Sequence, residues 1–296
     1  MTMVNIILDT DLGRDCDDAG ALALLHTMAS LNKASILAVT LCTSEISSAV
    51  TVKMINEWYK RPEIPIGRYT KRRFLEEEVC KRFTMPLMQK YCETHSMPRF
   101  ERSVRVLRKA LAQNSNVVIA SIGMMNNIAE LLKSPPDDIS PLSGIELVRK
   151  SVKEMYAMGG NFKDGSYAEY NIVSDVQSAK YVSKNMPVPI IYCGFEIGEK
   201  IKSGTALLDA DDNNPVKFAY LKHCTRDKIP HFSWDPITVY CAAEPNNALF
   251  KMSEGLNITF GDDAKTIICG DGKDRYIIRN APREEIQKTI DGLIRR

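Results

Sequence analysis

Two kinds of hydrophobic pattern alternate along the chain. Val4 to Asp9 is a short apolar run that ends in acidic residues, and Ala19 to Leu31 follows with apolar positions at helical spacing. Ser35 to Leu41 is apolar and rich in β-formers, and Ser47 to Tyr59 is helical again. The rhythm returns further on. Ser103 to Gln113 reads as a helix, Asn116 to Ile122 as a strand and Asn126 to Lys133 as a helix. Glu154 to Met158 reads as a strand, Val176 to Asn185 as a helix and Pro189 to Cys193 as a strand. Short apolar runs bounded by turn residues predict buried strands, and longer segments with helical period predict helices. Their alternation predicts an α/β chain built on an open mixed, mostly parallel sheet with helices on both faces.

The linkers are short, and neither an internal repeat nor a low-complexity stretch interrupts them, so one domain spanning residues 1–296 is expected. Two excursions break the rhythm. Tyr69 to Glu101 mixes helical pattern with Pro86 and Pro98, and Asp209 to Asp235 contains the turn Asp211-Asp212-Asn213-Asn214-Pro215. Ligands of open parallel sheets bind outside the carboxyl ends of the strands. Excursions at that edge are either lids or surface insertions.

Composition narrows the partners. Of 296 residues, 44% are hydrophobic and 26% charged, an ordinary soluble balance. The net charge of +2 gives no electrostatic case for nucleic acid. Lys71, Arg72 and Arg73 form a basic cluster, but Glu76, Glu77 and Glu78 follow at once, which reads as a solvated helix start. No apolar run approaches membrane-spanning length, and Met1 to Leu8 enters a strand pattern without a basic leader, so no membrane partner and a cytoplasmic location are expected. None of the eight cysteines forms a CxxC pair; buried free thiols are expected, and the spacing points away from a structural zinc site.

The chemistry concentrates after the first strand. Asp9-Thr10-Asp11-Leu12-Gly13-Arg14-Asp15-Cys16-Asp17-Asp18 holds five carboxylates in ten residues. Gly13 allows a tight turn that folds the cluster back on itself. Asp17 or Asp18 can cap the following helix, but caps and turns need only one or two aspartates. Five like charges repel one another unless a cation compensates. Hard oxygen ligands suit Ca²⁺ or Mg²⁺.

This turn resembles the aspartate-rich signature of nucleoside hydrolases. Three further segments match that family in order. Ser121-Ile122-Gly123-Met124-Met125-Asn126-Asn127-Ile128 is similar to its Gly-x-x-Thr-Asn-Leu turn. Met158-Gly159-Gly160, followed by Ala168-Glu169-Tyr170-Asn171-Ile172, is similar to its Met-Gly-Gly and Ala-Glu-Phe-Asn segments. Trp234-Asp235-Pro236 is similar to its late Asp-Pro helix start. The matches run from residue 6 to about residue 243.

The resemblance implies a Rossmann-like core and hydrolysis of the bond between base and ribose. It implies a nucleoside as the partner and assembly as a homodimer or homotetramer. It implies Ca²⁺ held by Asp11, Asp18, the main-chain carbonyl of Asn126 and Asp235, with Asp11 as the base that deprotonates the attacking water. Asp15 and Cys16 stand between Gly-x and the adjacent aspartates, a departure from the usual signature, so the ribose-binding aspartate is Asp15 or Asp17. Asp17 keeps the adjacent pair. Glu169 and Asn171 map to a ribose-binding pair, which on an extended chain would point the same way. Met158 maps beneath the ribose. Ser44 or Glu45 occupies a polar position after the second strand, and Asn161 is the nearby candidate for a loop asparagine.

Where many members place a histidine before the late aspartate, this chain has Trp234. That resembles a purine-preferring branch in which an aromatic ring stacks on the base. His231 is then the candidate proton donor, and Tyr91, Tyr167 and Phe232 are further aromatic candidates. His26 reads as structural. Two other classes start from similar residues. A haloacid-dehalogenase-like phosphatase also begins with Asp-x-Asp, and a nucleoside- or sugar-binding relative would keep the ion without turnover.

Overall fold

The structure, a computed structural model, describes residues 3–72, 74–224 and 229–295. Seven strands follow the early and middle chain: β1 (Val4–Thr10), β2 (Ala34–Leu41), β3 (Ile66–Arg68), β4 (Glu101–Arg102), β5 (Val117–Ser121), β6 (Val152–Met158) and β7 (Ile190–Cys193). With Phe250–Met252 and Arg275–Arg279 they form a nine-stranded sheet. Its order is Phe250–Met252, Arg275–Arg279, β7, β6, β5, β1, β2, β3, β4. Neighbours are parallel throughout, except that Phe250–Met252 runs antiparallel to Arg275–Arg279. The open, mostly parallel sheet expected from the pattern is present.

The order explains where a ligand goes. From β1 the chain steps outward through β2, β3 and β4, then crosses to the far side of β1 to lay down β5. The strand order therefore reverses between β1 and β5, and the crevice outside their carboxyl ends is the natural binding position. Asp9 sits in register with Thr40 of β2 and Ser121 of β5, so the acidic turn leaves the sheet at that crevice.

β1 reads as a nearly continuous apolar run because both its faces are covered. Ile6 and Leu8 enter one core, while Ile7 enters the other. Helix α1 (Asp17–Ser30) is buried from Asp17 to Met28, packed between the sheet and the helices Trp234–Ala243 and Arg283–Ile294. Such a helix must be apolar all round, as Ala19 to Leu25 is. Helix α2 (Ile46–Trp58) ends at Trp58.

The first excursion forms the short helices Glu77–Cys80 and Thr84–Cys92, the latter packed on α2 through buried Leu87. Lys71 pairs with Glu130 rather than opening a helix, and Arg73 lies outside the described residues. The second excursion contains the helix Pro215–Cys224, where Lys217 Nζ donates to the Ala210 carbonyl at 2.7 Å and to Asp212 at 2.8 Å. Beyond residue 243 the chain adds the last two sheet strands and a hairpin, Leu256–Phe260 with Thr266–Asp271. No helix of the described residues is long and apolar enough to cross a membrane.

Candidate active site

At the crevice between β1 and β5 lies a cavity of about 260 Å³ with an acidic floor and an aromatic wall. The floor is the turn after β1. Gly13 takes φ 129°, a conformation that side-chain-bearing residues rarely adopt, and so folds Asp15 to Asp18 back beside Asp11. Gly123, after β5, is required for a different reason. A Cβ there would stand 2.8 Å from Asp11 Oδ1 and 2.6 Å from Cys42 Sγ.

The five aspartates divide their work. Asp9 points into the sheet, where Oδ1 accepts from Thr40 Oγ1 at 2.6 Å and from Asn127 Nδ2 at 2.7 Å. It ties β1, β2 and the helix Asn126–Lys133 together, and burial lifts its carboxyl to about 7. Thr10 Oγ1 donates to Asp18 and accepts from the Leu12 amide at 3.1 Å, fixing the start of the turn. Asp17 Oδ2 accepts from the Asp235 amide at 3.2 Å, which docks the late helix start onto the turn.

One carboxylate oxygen from each of Asp15, Asp17, Asp18 and Asp235 lies within 4.8 Å of the others. Burial, followed by the neighbouring aspartate charges, pushes Asp17, Asp18 and Asp235 well above the ordinary carboxylate range. Asp11 is lifted to about 8, by burial first and then by the charge of Asp15. Asp15 goes the other way. Burial opposes its charge, but interactions with Asp17 and His231 outweigh that and hold it low. A buried, all-oxygen set of crowded carboxylates fits a hard divalent cation, whose charge would relieve the repulsion. The set differs from the ligands expected. Asp15 and Asp17 stand in the tight group with Asp18 and Asp235, and Asp11 faces the same cavity from outside it.

Glu169, Asn171 and Met158 all line the cavity, but not by the geometry expected of an extended chain. Glu169 is the N-cap of the helix Tyr170–Ser174, accepting from the amides of Asn171 at 2.9 Å and Ile172 at 3.3 Å. Those backbone donors would favour the carboxylate, yet burial dominates and lifts it to about 7. Asn171 Nδ2 is held against Met158, 3.2 Å from Sδ and 3.3 Å from the carbonyl. The helix start, not strand alternation, gathers these groups.

Four expected site residues lie outside the cavity lining. Asn126 opens its helix with Nδ2 donating to the Cys42 carbonyl at 2.9 Å. Glu45 is the N-cap of α2 and lines a neighbouring groove with Met85 and Met88, because the chain turns away from the cavity after β2. Asn161 is drawn toward the hairpin: its amide donates to Thr266 Oγ1 at 2.9 Å, and its Oδ1 accepts from the Lys163 amide at 3.0 Å. His231 stands behind the floor, Nε2 4.0 Å from Asp15 Oδ2. Burial disfavours its charge, but Asp15 and Cys224 prevail and raise it to about 9.

The wall is Trp234, Phe195 and Tyr167. Trp234 Nε1 donates to the Phe195 carbonyl at 2.9 Å, and the two rings stack with centroids 5.5 Å apart. Tyr167 leans on Phe195 at 4.6 Å. Phe232 packs on Trp234 at 5.1 Å, whereas Tyr91 is away from the site, stacked on His95. Sequence reasoning missed Phe195, although it stands two residues beyond β7 at the carboxyl edge of the sheet. It also missed Arg14, whose guanidinium lies 4.3 Å from the centre of the Tyr170 ring at the cavity.

Solved structures with the same fold include nucleoside hydrolases and a type III effector protein, by their own descriptions. An inosine-uridine preferring nucleoside hydrolase from Bacillus anthracis aligns with a TM-score of 0.74 at 14% identity, over 99% of each chain. A plant nucleoside hydrolase aligns with a TM-score of 0.74 at 16% identity, over 98% of each chain. A purine-preferring ribonucleoside hydrolase from Gardnerella vaginalis aligns with a TM-score of 0.70 at 17% identity, over 98% of this chain and 99% of that one. At such identities they show the fold alone. No curated protein matches the chain significantly. The family model of the inosine-uridine preferring nucleoside hydrolases matches residues 6–276, and so the chain belongs to that family and is a hydrolase acting on N-glycosyl bonds.

Proposed function

We propose that this enzyme cleaves purine ribonucleosides in preference to pyrimidine ones, releasing free base and ribose, and that Ca²⁺ is its ion. The observation that carries this is the meeting of an acidic floor and an aromatic wall in one cavity of about 260 Å³. The phosphatase alternative falls with the family match, which covers nearly the whole chain.

Cleavage of an N-ribosidic bond passes through an oxocarbenium-like sugar. Asp15, Asp17, Asp18 and Asp235 would hold the ion, which supplies Lewis acidity toward the attacking water. Asp11 faces the cavity beside this cluster, placed to take a proton from the attacking water once the ion offsets the neighbouring carboxylate charge. Glu169 and Asn171, on one helical turn, are set to grip sugar hydroxyls above Met158. Trp234 and Phe195 offer stacked faces to the base. His231 is turned toward Asp15 and away from the lining, so it acts on the floor's charge and not on the leaving base.

Release of reducing sugar from inosine, adenosine, guanosine, uridine and cytidine, with Ca²⁺ and with chelator, tests the proposal. Purines should be cut faster, and chelation should stop turnover. No ribose from any of the five with Ca²⁺ present would favour the binding relative without turnover. The same reading includes a homodimer or homotetramer of this single-domain chain, and light scattering that reported a monomer at micromolar concentration would reject that assembly.

A further inference from the structure

Behind the acidic floor the chain gathers a second donor set of a different kind. Cys16 Sγ, Cys224 Sγ and a ring nitrogen of His231 lie within 4.8 Å of one another. Cys16 is fully buried at the N-cap of α1, and Cys224 is buried at the end of the helix Pro215–Cys224. His231 belongs to the short strand His231–Phe232. His223 packs edge-on against His231, ring centroids 4.8 Å apart. Among the described residues, His231 Nε2 and His223 Nδ1 are buried without a hydrogen-bond partner.

We propose that Cys16, Cys224 and His231 form a second metal site, for a borderline-soft divalent ion such as Zn²⁺. Two observations carry it independently. The first is distance. The sulfurs are 3.6 Å apart. Two thiolates about 2.3 Å from a tetrahedral zinc would be roughly 3.8 Å apart, whereas a disulfide needs about 2.05 Å. The second is the ring nitrogen Nε2 of His231, which is buried with no hydrogen bond and has only the Asp15 carboxylate at 4.0 Å, since buried polar atoms are normally satisfied. An ion bound there displaces the remaining thiol protons and the extra proton of the His231 ring to solvent, and takes the imidazole lone pair.

The sulfur pair differs in chemistry from the floor, although His231 also lies within reach of Asp15 and Asp17. Asp15 and Asp17 contribute to the oxygen cluster, while Cys16 between them contributes to the sulfur cluster. Thiolate and imidazole donors select zinc-like ions, and carboxylates select Ca²⁺. Local cysteine spacing could not disclose the site, because Cys16 and Cys224 are 208 residues apart. Three protein ligands leave a fourth position open, and His223 packs on the ring of His231.

Cobalt tests this without reference to turnover. The full-length protein, stripped by chelator and then saturated with Ca²⁺ to fill the carboxylate set, is titrated with Co²⁺. A thiolate-to-cobalt charge-transfer band should saturate at about one equivalent and be displaced by Zn²⁺. The band should vanish in Cys224→Ser and weaken strongly in His231→Ala, yet persist in Asp235→Asn. Circular dichroism checks that each variant is folded; if buried Cys16→Ser misfolds, Cys224→Ser and His231→Ala report the same site. A band that survives in Cys224→Ser would place the cobalt on other thiols and overturn the proposal. So would the absence of any band in the fully reduced protein. So too would the loss of two free thiols on standing in air with zinc bound, because the pair would then be a disulfide couple.

Discussion

Replacing Trp234 with alanine removes the largest face of the aromatic wall. Three contacts decide the magnitude. The indole stacks on Phe195 at 5.5 Å, leans on Phe232 at 5.1 Å and anchors Nε1 on the Phe195 carbonyl at 2.9 Å. Base–aromatic stacking contributes about 1–3 kcal/mol per base. Realised in the transition state, that is roughly one to two orders of magnitude in rate. A two-ring base covers more of the indole than a one-ring base, so the loss should fall mainly on purines. The assay is kcat/KM for inosine and adenosine against uridine and cytidine, in the variant and in the parent. The purine advantage should shrink about tenfold or more, with ribose inhibition little changed. Trp234→Phe should retain most of the advantage, because it keeps an aromatic face and loses only a neutral hydrogen bond worth about 1 kcal/mol. Gly198→Ala offers a second route to the same wall: its Cβ would stand 2.7 Å from Trp234 Cα and 2.4 Å from Cδ1, so the indole must shift. An unchanged purine-to-pyrimidine ratio in both Trp234→Ala and Gly198→Ala would refute the stacking argument and leave the hydrolase assignment standing.

Other outcomes follow from the floor and the core. Asp235→Asn should fold but lose Ca²⁺ in calorimetric titration, and chelation should lower the Tm of the parent protein because the ion binds only the folded state; an equal Tm with and without chelator would contradict the cluster's role. Asp11→Asn should lower kcat with KM nearly kept, whereas Glu169→Ala should raise KM and lower kcat together, so a kinetically silent Glu169→Ala would remove the sugar grip from the mechanism. His26 supplies a pH dependence. Burial in α1, between Asn56 and the stacked Tyr59, lowers it from 6.5 to about 4. A depressed histidine stabilises the fold while neutral, so its contribution is complete above 6.5 and is lost as pH falls toward 4, about 3 kcal/mol in all. His26→Gln should therefore flatten the fall in Tm over that window, and parallel curves for variant and parent would count against it.

The elements that carry the sheet were legible because burial on two faces leaves a plain mark. Asn126–Lys133 and Val176–Asn185 have the same ends in sequence and structure, since each is bounded by residues that cannot extend a buried stripe. The last fifty residues were not legible. The strand Thr266–Asp271 is mostly exposed and offers no alternation to read, and the edge strand Phe250–Met252 has only three residues. At the site, the acidic turn announced itself by charge density. What could not be read was direction. Asp9 and Asp11 are two apart on the same run, yet one is spent on Thr40 and Asn127 inside the sheet while the other faces the cavity. Glu45 and Asn161 had the right residue types near the right motifs, but loop paths took them elsewhere. Phe195 had no local signal beyond its place after β7, because its partner Trp234 is 39 residues away.

The stretch Asp15-Cys16-Asp17 shows why such a turn resists reading residue by residue. Its carboxylates belong to one cluster and its thiol to another, and no periodicity distinguishes the two directions. What fixes them is the late chain. The Asp235 amide engages Asp17, His231 stands 4.0 Å from Asp15, and Cys224 meets Cys16 at 3.6 Å. All three partners come from residues 224–235, part of the excursion that interrupted the βα rhythm. Cys224 and residues 229–235 are therefore part of the site's framework. They supply Asp235 to the floor and Trp234 to the wall. Because the proposed function asks one short stretch to set both the charge at the sugar and the face at the base, substitutions in it should not separate cleanly into binding and catalytic effects, and additivity should fail among them.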